Sequence, residues 1–321
     1  MKERDIVFDI MKGIGILAVM IGHYNDIPYM PIRHFCFSFH MPLFFIIAGY
    51  FHYRNDNAKV IKKSFKRLII PYLATAAIMI LYSCYLTFVR HDYFEVPKEI
   101  CATIFVSGAT HSSLLLGDFR PIGAIWFLVA LFWCKVVFNY LQGNIKNSSL
   151  FYFITVNISI IATLIDRYLI NLPFAILPGL SALIFYLLGY IAKNHQLPKY
   201  LYLIIALFYP LSFWLCKIYM VQCYYTWYPL AVLGSSGGVY LIYLLSTQLK
   251  NLHYFAYILS MLGQTSLLIL CVHMIEALCH LYEFTYLPKD LEIQVPIRLL
   301  STITISYLLS KLTIIRQIFK V

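Results

Sequence analysis

Charge is scarce in this chain: of 321 residues only 12% are Asp, Glu, Lys or Arg, about half the roughly 25% of a soluble domain. Acidic residues are scarcest, 14 against 25 basic. With 61% of the side chains hydrophobic, too little polar surface remains to clothe a water-soluble globule or to keep a disordered chain solvated. The same composition excludes a nucleic-acid-binding domain. The eight cysteines form no CxxC pair and no zinc-type spacing, so they read as small buried hydrophobes and point to no redox compartment. No Walker or Rossmann glycine loop is present, which removes nucleotide hydrolysis and hydride transfer. There is no HExxH, no separate soluble segment and no internal repeat. The apolar run that follows Lys2 and Arg4 has no small-x-small cleavage site after it and is expected to remain as a first membrane span.

What the chain has is apolar runs long enough to cross a bilayer core of roughly 30 Å, each needing about 20 residues. Ten are expected, near residues 6–24, 35–53, 68–90, 121–141, 149–165, 173–192, 200–216, 228–247, 264–282 and 293–315. The fold class is therefore all-α: a polytopic membrane protein of about ten transmembrane helices, residues 1–321 forming a single integral-membrane domain in contact with membrane lipid. Placing the N-terminus inside assigns fifteen basic residues to the cytoplasmic face and eight, Arg298 among them, to the outer face, with Lys12 and Lys135 left within spans. That bias puts both termini in the cytoplasm of a plasma, or inner, membrane. The outer stretch from Lys98 to Val106 is expected to form an interfacial helix. Pro42 is expected to break the second span.

Ionisable residues at membrane depth are costly and mark sites by default. Asp9 and Lys12, three apart in span one, form an ion pair on one helix face. Lys12 and His23 are eleven residues apart, three turns plus about 20° and about 16 Å of rise, so they share a face at different depths and can line one passage. Gly13, Gly15 and Gly22 allow a backbone or ligand to come close to that helix. Asp26, three beyond His23, could accept from one imidazole nitrogen and leave the other as a base. His273, Glu276 and His280 follow an i, i+3, i+7 spacing, a stripe that suits a hydrogen-bonded structural cluster, a proton relay, a catalytic lining or part of a metal site. No second ligand motif supports metal. His34 and His40 stand ahead of Pro42. Between Arg54 and Arg67 six basic side chains face a single Asp56. That loop, with Lys63 in it, reads as a topology signal and equally as a place to hold phosphates.

Several segments in order resemble the acyltransferase 3 family of integral-membrane O-acyltransferases, including its fucose 4-O-acetylase-related group. They are the stretch from Arg4 through Asp9 and Lys12 to Gly22-His23; Phe39-His40-Met41-Pro42-Leu43-Phe44-Phe45 with Ala48-Gly49-Tyr50, where Ala48 replaces the family's Ser; Ile125-Trp126-Phe127-Leu128; and Leu262-Gly263-Gln264-Thr265-Ser266-Leu267 followed by His273. The resemblance implies transfer of an acyl group, usually acetyl, from acetyl-CoA to a hydroxyl of a carbohydrate or glycolipid acceptor. The resemblance makes His23 the essential histidine and Lys12 its basic partner, with His40, Trp126, Ser266 and His273 as further matches. From the residues themselves, Asp26, His273 and Glu276 are expected to aid His23, and Arg54, Lys63 and Arg67, with Lys12, His40, Trp126 and Ser266, to serve the donor; no metal is expected. A transporter or flippase of an oligosaccharide or lipid intermediate is the competing class, for which buried His, Glu and Lys would relay protons.

Overall fold

The computed structural model describes residues 5–23, 30–90, 95–105, 112–113, 117–118, 122–168, 172–195, 198–279 and 291–319. Fifteen α-helices follow in chain order: α1 Ile6–His23, α2 Met30–Tyr50, α3 Asn57–Ser64, α4 Ile70–Arg90 (reached through a π-turn at Phe65–Ile69), α5 Glu95–Phe105, α6 Trp126–Asn144 (entered through a 3-10 turn at Gly123–Ile125), α7 Ser148–Tyr168, α8 Ile176–Ser181, α9 Leu183–Asn194, α10 Lys199–Leu215, α11 Tyr228–Leu249, α12 His253–Gln264, α13 Ser266–Cys279, α14 Leu291–Leu309 and α15 Thr313–Phe319. Two antiparallel pairs of two-residue strands, 112–113 with 117–118 and 218–219 with 224–225, are the extended structure among the described residues. The chain is an all-α, multi-pass membrane protein. Long apolar side chains such as Leu81, Phe88, Phe153 and Leu207 stay more than half exposed, as lipid-facing surface does.

Among the described residues seven helices are long and apolar enough to span, and nine spans result if two bent pairs each count once. Expectation and structure differ at the late spans. The expected run 264–282 is the second limb of a broken span: α12 and α13 meet at a 70° bend. At the break the Thr265 and Ser266 hydroxyls donate to the carbonyls of Met261 and Gly263, both at 2.9 Å, so side-chain donors serve backbone acceptors where the helix turns. The expected run 293–315 turns by 104° between α14 and α15, and the α10 helix reaches only 17 residues. Pro42 does not break its span, because α2 continues through it from Met30 to Tyr50; packed neighbours let a membrane helix carry a proline. A helix does occupy the stretch expected to be interfacial, as α5.

Glycines set the closest helix contacts, as they do where lipid offers no hydrophobic drive between helices. A Cβ at Gly13 would overlap the backbone carbonyl of Leu259, and one at Gly263 the carbonyl of Asp9, so α1 and α12 touch backbone to backbone. Gly49 and Gly189 do the same for α2 and α9, against Tyr186 and Ile46. The α1 helix is thereby held among α2, α11, α12 and α13, its two polar ends fixed in the interior.

Candidate functional site

Three histidines from three helices meet in that interior. His23 ends α1, His40 lies in the middle of α2 and His273 in α13. The His23 ring centroid is 5.9 Å from that of His40 and 6.4 Å from that of His273, edge-on in both cases. His40 and His273 are buried and His23 is partly so. The tautomers of the first two follow from their partners. The Val19 carbonyl can only accept, so His23 Nδ1 donates to it at 2.8 Å and Nε2 carries the lone pair. His40 Nδ1 donates likewise to Cys36 at 2.5 Å, and its buried Nε2 has no hydrogen-bond partner among the described residues.

A cavity of about 250 Å³ approaches the cluster from the side of the basic loop. It is lined from Lys12 to Val19 along α1, and by Met41, Phe44, Ala48 and Phe51, by Ala124, Phe127 and Lys135, and by Ser266 and Leu270. Val19, Phe44 and Leu270 stand four, four and three residues from His23, His40 and His273, hence on the same helix faces. The histidines therefore sit one turn past the cavity walls. Lys12 and His23 share a face as the spacing requires, but the passage is apolar along most of its length, and His23 lies beyond its lining instead of within it.

The opposite side of the cluster carries a groove of about 390 Å³ lined by Arg33, His34, Phe37, Ser38, Trp214, Lys217 and Tyr219, among others. Phe37 belongs to this groove and also packs on the cluster, its ring centroid 5.3 Å from His23 and 5.0 Å from His40. Along α2, Phe37 precedes His40 by three residues and Phe44 follows it by four, so His40 stands between groove and cavity. The imidazoles form a partition with a space on either side.

The cavity's mouth is basic. Lys12 donates to Asp9 at 2.5 Å, the expected ion pair, and Gln264 Nε2 donates to the other carboxylate oxygen at 3.3 Å. The late motif thus has mechanical content: Gly263 admits α1, Gln264 holds Asp9, Thr265 turns the chain and Ser266 faces the cavity. Lys135 was left unassigned by sequence reasoning. It lines the same mouth, and Lys63 and Arg67 are near enough for their charges to repel it. The signal for Lys135 was present, a lysine within an apolar span.

The other expected residues fall as follows. Arg54 is exposed and donates to the Gly143 carbonyl at 3.2 Å, at the end of α6. Lys63 and Arg67 are exposed. Trp126 is buried and does not line the cavity, although Ala124, Phe127 and Leu128 do; the turn it follows is fixed by Ala124 N–H donating to Met274 sulfur at 2.8 Å. Asp26 and His280 lie outside the described residues, and the Val19 carbonyl is what orients His23. Glu276 engages α14, accepting from Thr302 and, at 3.4 Å, from Ser301, with Arg298 Nε at 4.0 Å. Arg298, expected towards the outer face, is buried among the helices, where Glu276 across the helix contact compensates its charge. Among the described residues no three His, Cys, Asp or Glu side chains are disposed to hold a metal ion.

Among the described residues, a helical membrane bundle with imidazoles between a basic-mouthed cavity and an aromatic groove is a membrane protein with a buried polar cluster that marks a candidate site. The chain belongs to the acyltransferase 3 family, whose acyltransferase domain (Acyl_transf_3) matches residues 5–311. It is similar to the nodulation protein NolL of Sinorhizobium fredii (strain NBRC 101917 / NGR234), 31% identical over 139 residues, which is 40% of this chain and 34% of that protein. It is also similar to the nodulation protein NolL of Mesorhizobium japonicum (strain LMG 29417 / CECT 9101 / MAFF 303099), 29% identical over 140 residues, 41% of this chain and 34% of that protein. The chain thus matches about a third of the length of these relatives. No solved structure matches it significantly.

Proposed function

We propose that this membrane acyltransferase is an O-acetyltransferase of the inner membrane that moves an acetyl group from acetyl-CoA to a hydroxyl of a carbohydrate or glycolipid, with His23 as general base. Both termini and the basic loop face the cytoplasm. The donor's phosphates rest among Lys135, Lys63 and Arg67, at the mouth that the Asp9-paired Lys12 also lines, and its thioester arm lies in the apolar cavity. The acceptor hydroxyl gives its proton to His23 Nε2 as its oxygen attacks the thioester carbonyl. The carbon–sulfur bond then breaks, and the thiolate of CoA takes the proton back from the imidazolium. His40 and His273 keep the environment of His23 polar while the bundle excludes water. Glu276, held by α14, acts as a positioning residue for His273.

The observation that carries this reading is His23 itself: Nδ1 is committed to the Val19 carbonyl, so a basic Nε2 remains beside a partition with space on both sides. General-base assistance is worth about 10²–10⁴-fold. In membranes supplied with labelled acetyl-CoA and glycan acceptor, His23→Ala should lower labelled product by that factor while inserting at wild-type level. Normal acetylation by the variant at matched expression would reject the role.

A further inference from the structure

We propose that the groove beside Phe37 is the acceptor site and that it takes a saccharide bearing an acid group, a carboxylate or a phosphate, held by Arg33 and Lys217. The proposal rests on the acyltransferase reading above and adds the charge of the acceptor.

Position comes first. The groove lies across the histidines from the donor cavity and reaches them through Phe37, so a hydroxyl presented from it arrives at the face of the cluster opposite the thioester. At about 390 Å³ it is of small-molecule size. Its walls are tied together by His34 Nε2 donating to the Phe213 carbonyl at 2.5 Å, which joins the start of α2 to the end of α10.

The lining then selects the ligand. Phe37 and Tyr219, with ring centroids 6.0 Å apart, and the exposed Trp214 offer aromatic faces to the C–H face of a sugar. Arg33 and Lys217 supply two positive charges, and no carboxylate lines the groove or pairs with either among the described residues. The Arg33 guanidinium sits 5.5 Å over the Phe37 ring. A guanidinium placed there can present its N–H donors to an acid group in bidentate fashion. An acidic acceptor therefore gains an affinity in this groove that a neutral sugar does not. Anchoring to an anionic lipid headgroup would use the same cations, but it gives no reason for the groove to continue onto the histidines.

The test is binding of four probes to the purified full chain in neutral detergent, followed by tryptophan fluorescence. The probes are a glucuronic-acid oligosaccharide, a phosphorylated glucose oligosaccharide, the neutral glucose oligosaccharide of equal length, and phosphatidylglycerol in mixed micelles. One or both acidic saccharides should bind about tenfold tighter than the neutral one at low salt, and the better of the two identifies the acid. R33Q/K217Q should erase the preference, and R33K should keep part of it. Equal affinity for acidic and neutral saccharides, or a preference that survives R33Q/K217Q, overturns the proposal. Saturation by phosphatidylglycerol without binding of either acidic saccharide overturns it in favour of a headgroup site. Because no acyl donor is used, the two readings fail separately. Loss of preference with acetyl transfer intact sinks the acidic acceptor alone, whereas acidic binding without any transfer sinks the enzyme.

Discussion

Lys135 gives the sharpest test of where the donor lies. Lys12 and Lys135 both line the mouth of the cavity, but Lys12 is already neutralised by Asp9 at 2.5 Å. Lys135 has no ion-pair partner among the described residues, and Lys63 and Arg67 add to its field. Replacing it by Met keeps the apolar stem and removes the charge. A hydrogen bond to a charged group contributes about 1.5–3 kcal/mol, and each 1.4 kcal/mol is about tenfold in affinity, so the donor should bind about 10- to 100-fold more weakly. Lys63 and Arg67 remain in place, which puts the expectation near the lower figure. The phosphates do not change charge during acyl transfer, so this contact serves ground state and transition state alike, and KM should rise with kcat nearly unchanged. The assay compares acetyl-CoA with acetyl-pantetheine, which has the same thioester and no phosphates. Lys135→Met should raise KM for the first and not for the second. An equal rise for both, or an unchanged KM for acetyl-CoA, would refute placing the phosphates at this mouth.

Lys12→Met should behave differently, as a stability defect: it leaves the buried Asp9 carboxylate with Gln264 but without its cation, costing about 3–5 kcal/mol, and Asp9→Asn with Lys12→Met should recover most of the loss in detergent thermal unfolding. Gly263→Ala should lower the unfolding temperature by an overpacking cost of about 1–3 kcal/mol or more, because the new methyl meets the Asp9 carbonyl, whereas Gly143→Ala, whose nearest neighbour is the Arg54 guanidinium at 3.6 Å, should not. Stability should also fall with acid through His52, in the loop after α2. Burial holds its pKa down at about 4, a hydrogen bond to Gln142 partly offsetting this, while the unfolded imidazole takes its proton near 6.5. Its contribution is complete above pH 6.5 and drains away between 6.5 and about 4, at most about 3 kcal/mol. His52→Gln should flatten that part of the profile, and an unchanged slope would remove His52 as its source.

The parts of the fold legible in the sequence were those set by local composition. Apolar runs marked the spans because the bilayer imposes the same demand on every stretch that crosses it. The Asp9–Lys12 pair was legible because both ends lie within one turn of one helix. Breaks were not legible. Residues 264–282 look continuous on average hydropathy, and at the turn the hydroxyls of Thr265 and Ser266 close onto the carbonyls of Met261 and Gly263, a choice made by packing. Pro42 misled in the other direction, since a rule for isolated helices took no account of the neighbours that let α2 run straight through. The burial of Arg298 was not legible for a similar reason: its compensating Glu276 lies on a different helix, and no spacing in the sequence joins them.

The site divides along the same line. Each histidine of the cluster was picked out singly, by the cost of an imidazole at membrane depth, yet their meeting is a property of three helices and could not be read from any one. Asp26, expected as an orienting group, lies outside the described residues. In the structure the helix's own Val19 carbonyl fixes the tautomer of His23, and Cys36 does the same for His40. Two imidazoles oriented by backbone need no carboxylate within the membrane, and a carboxylate there would itself have to be compensated. The same economy explains the division of charge along α1. The cation at its start is neutralised by a neighbour three residues away, and in the proposed mechanism Lys135 on α6 is left to act on the donor while the far end carries a base that is charged only while it holds the acceptor's proton.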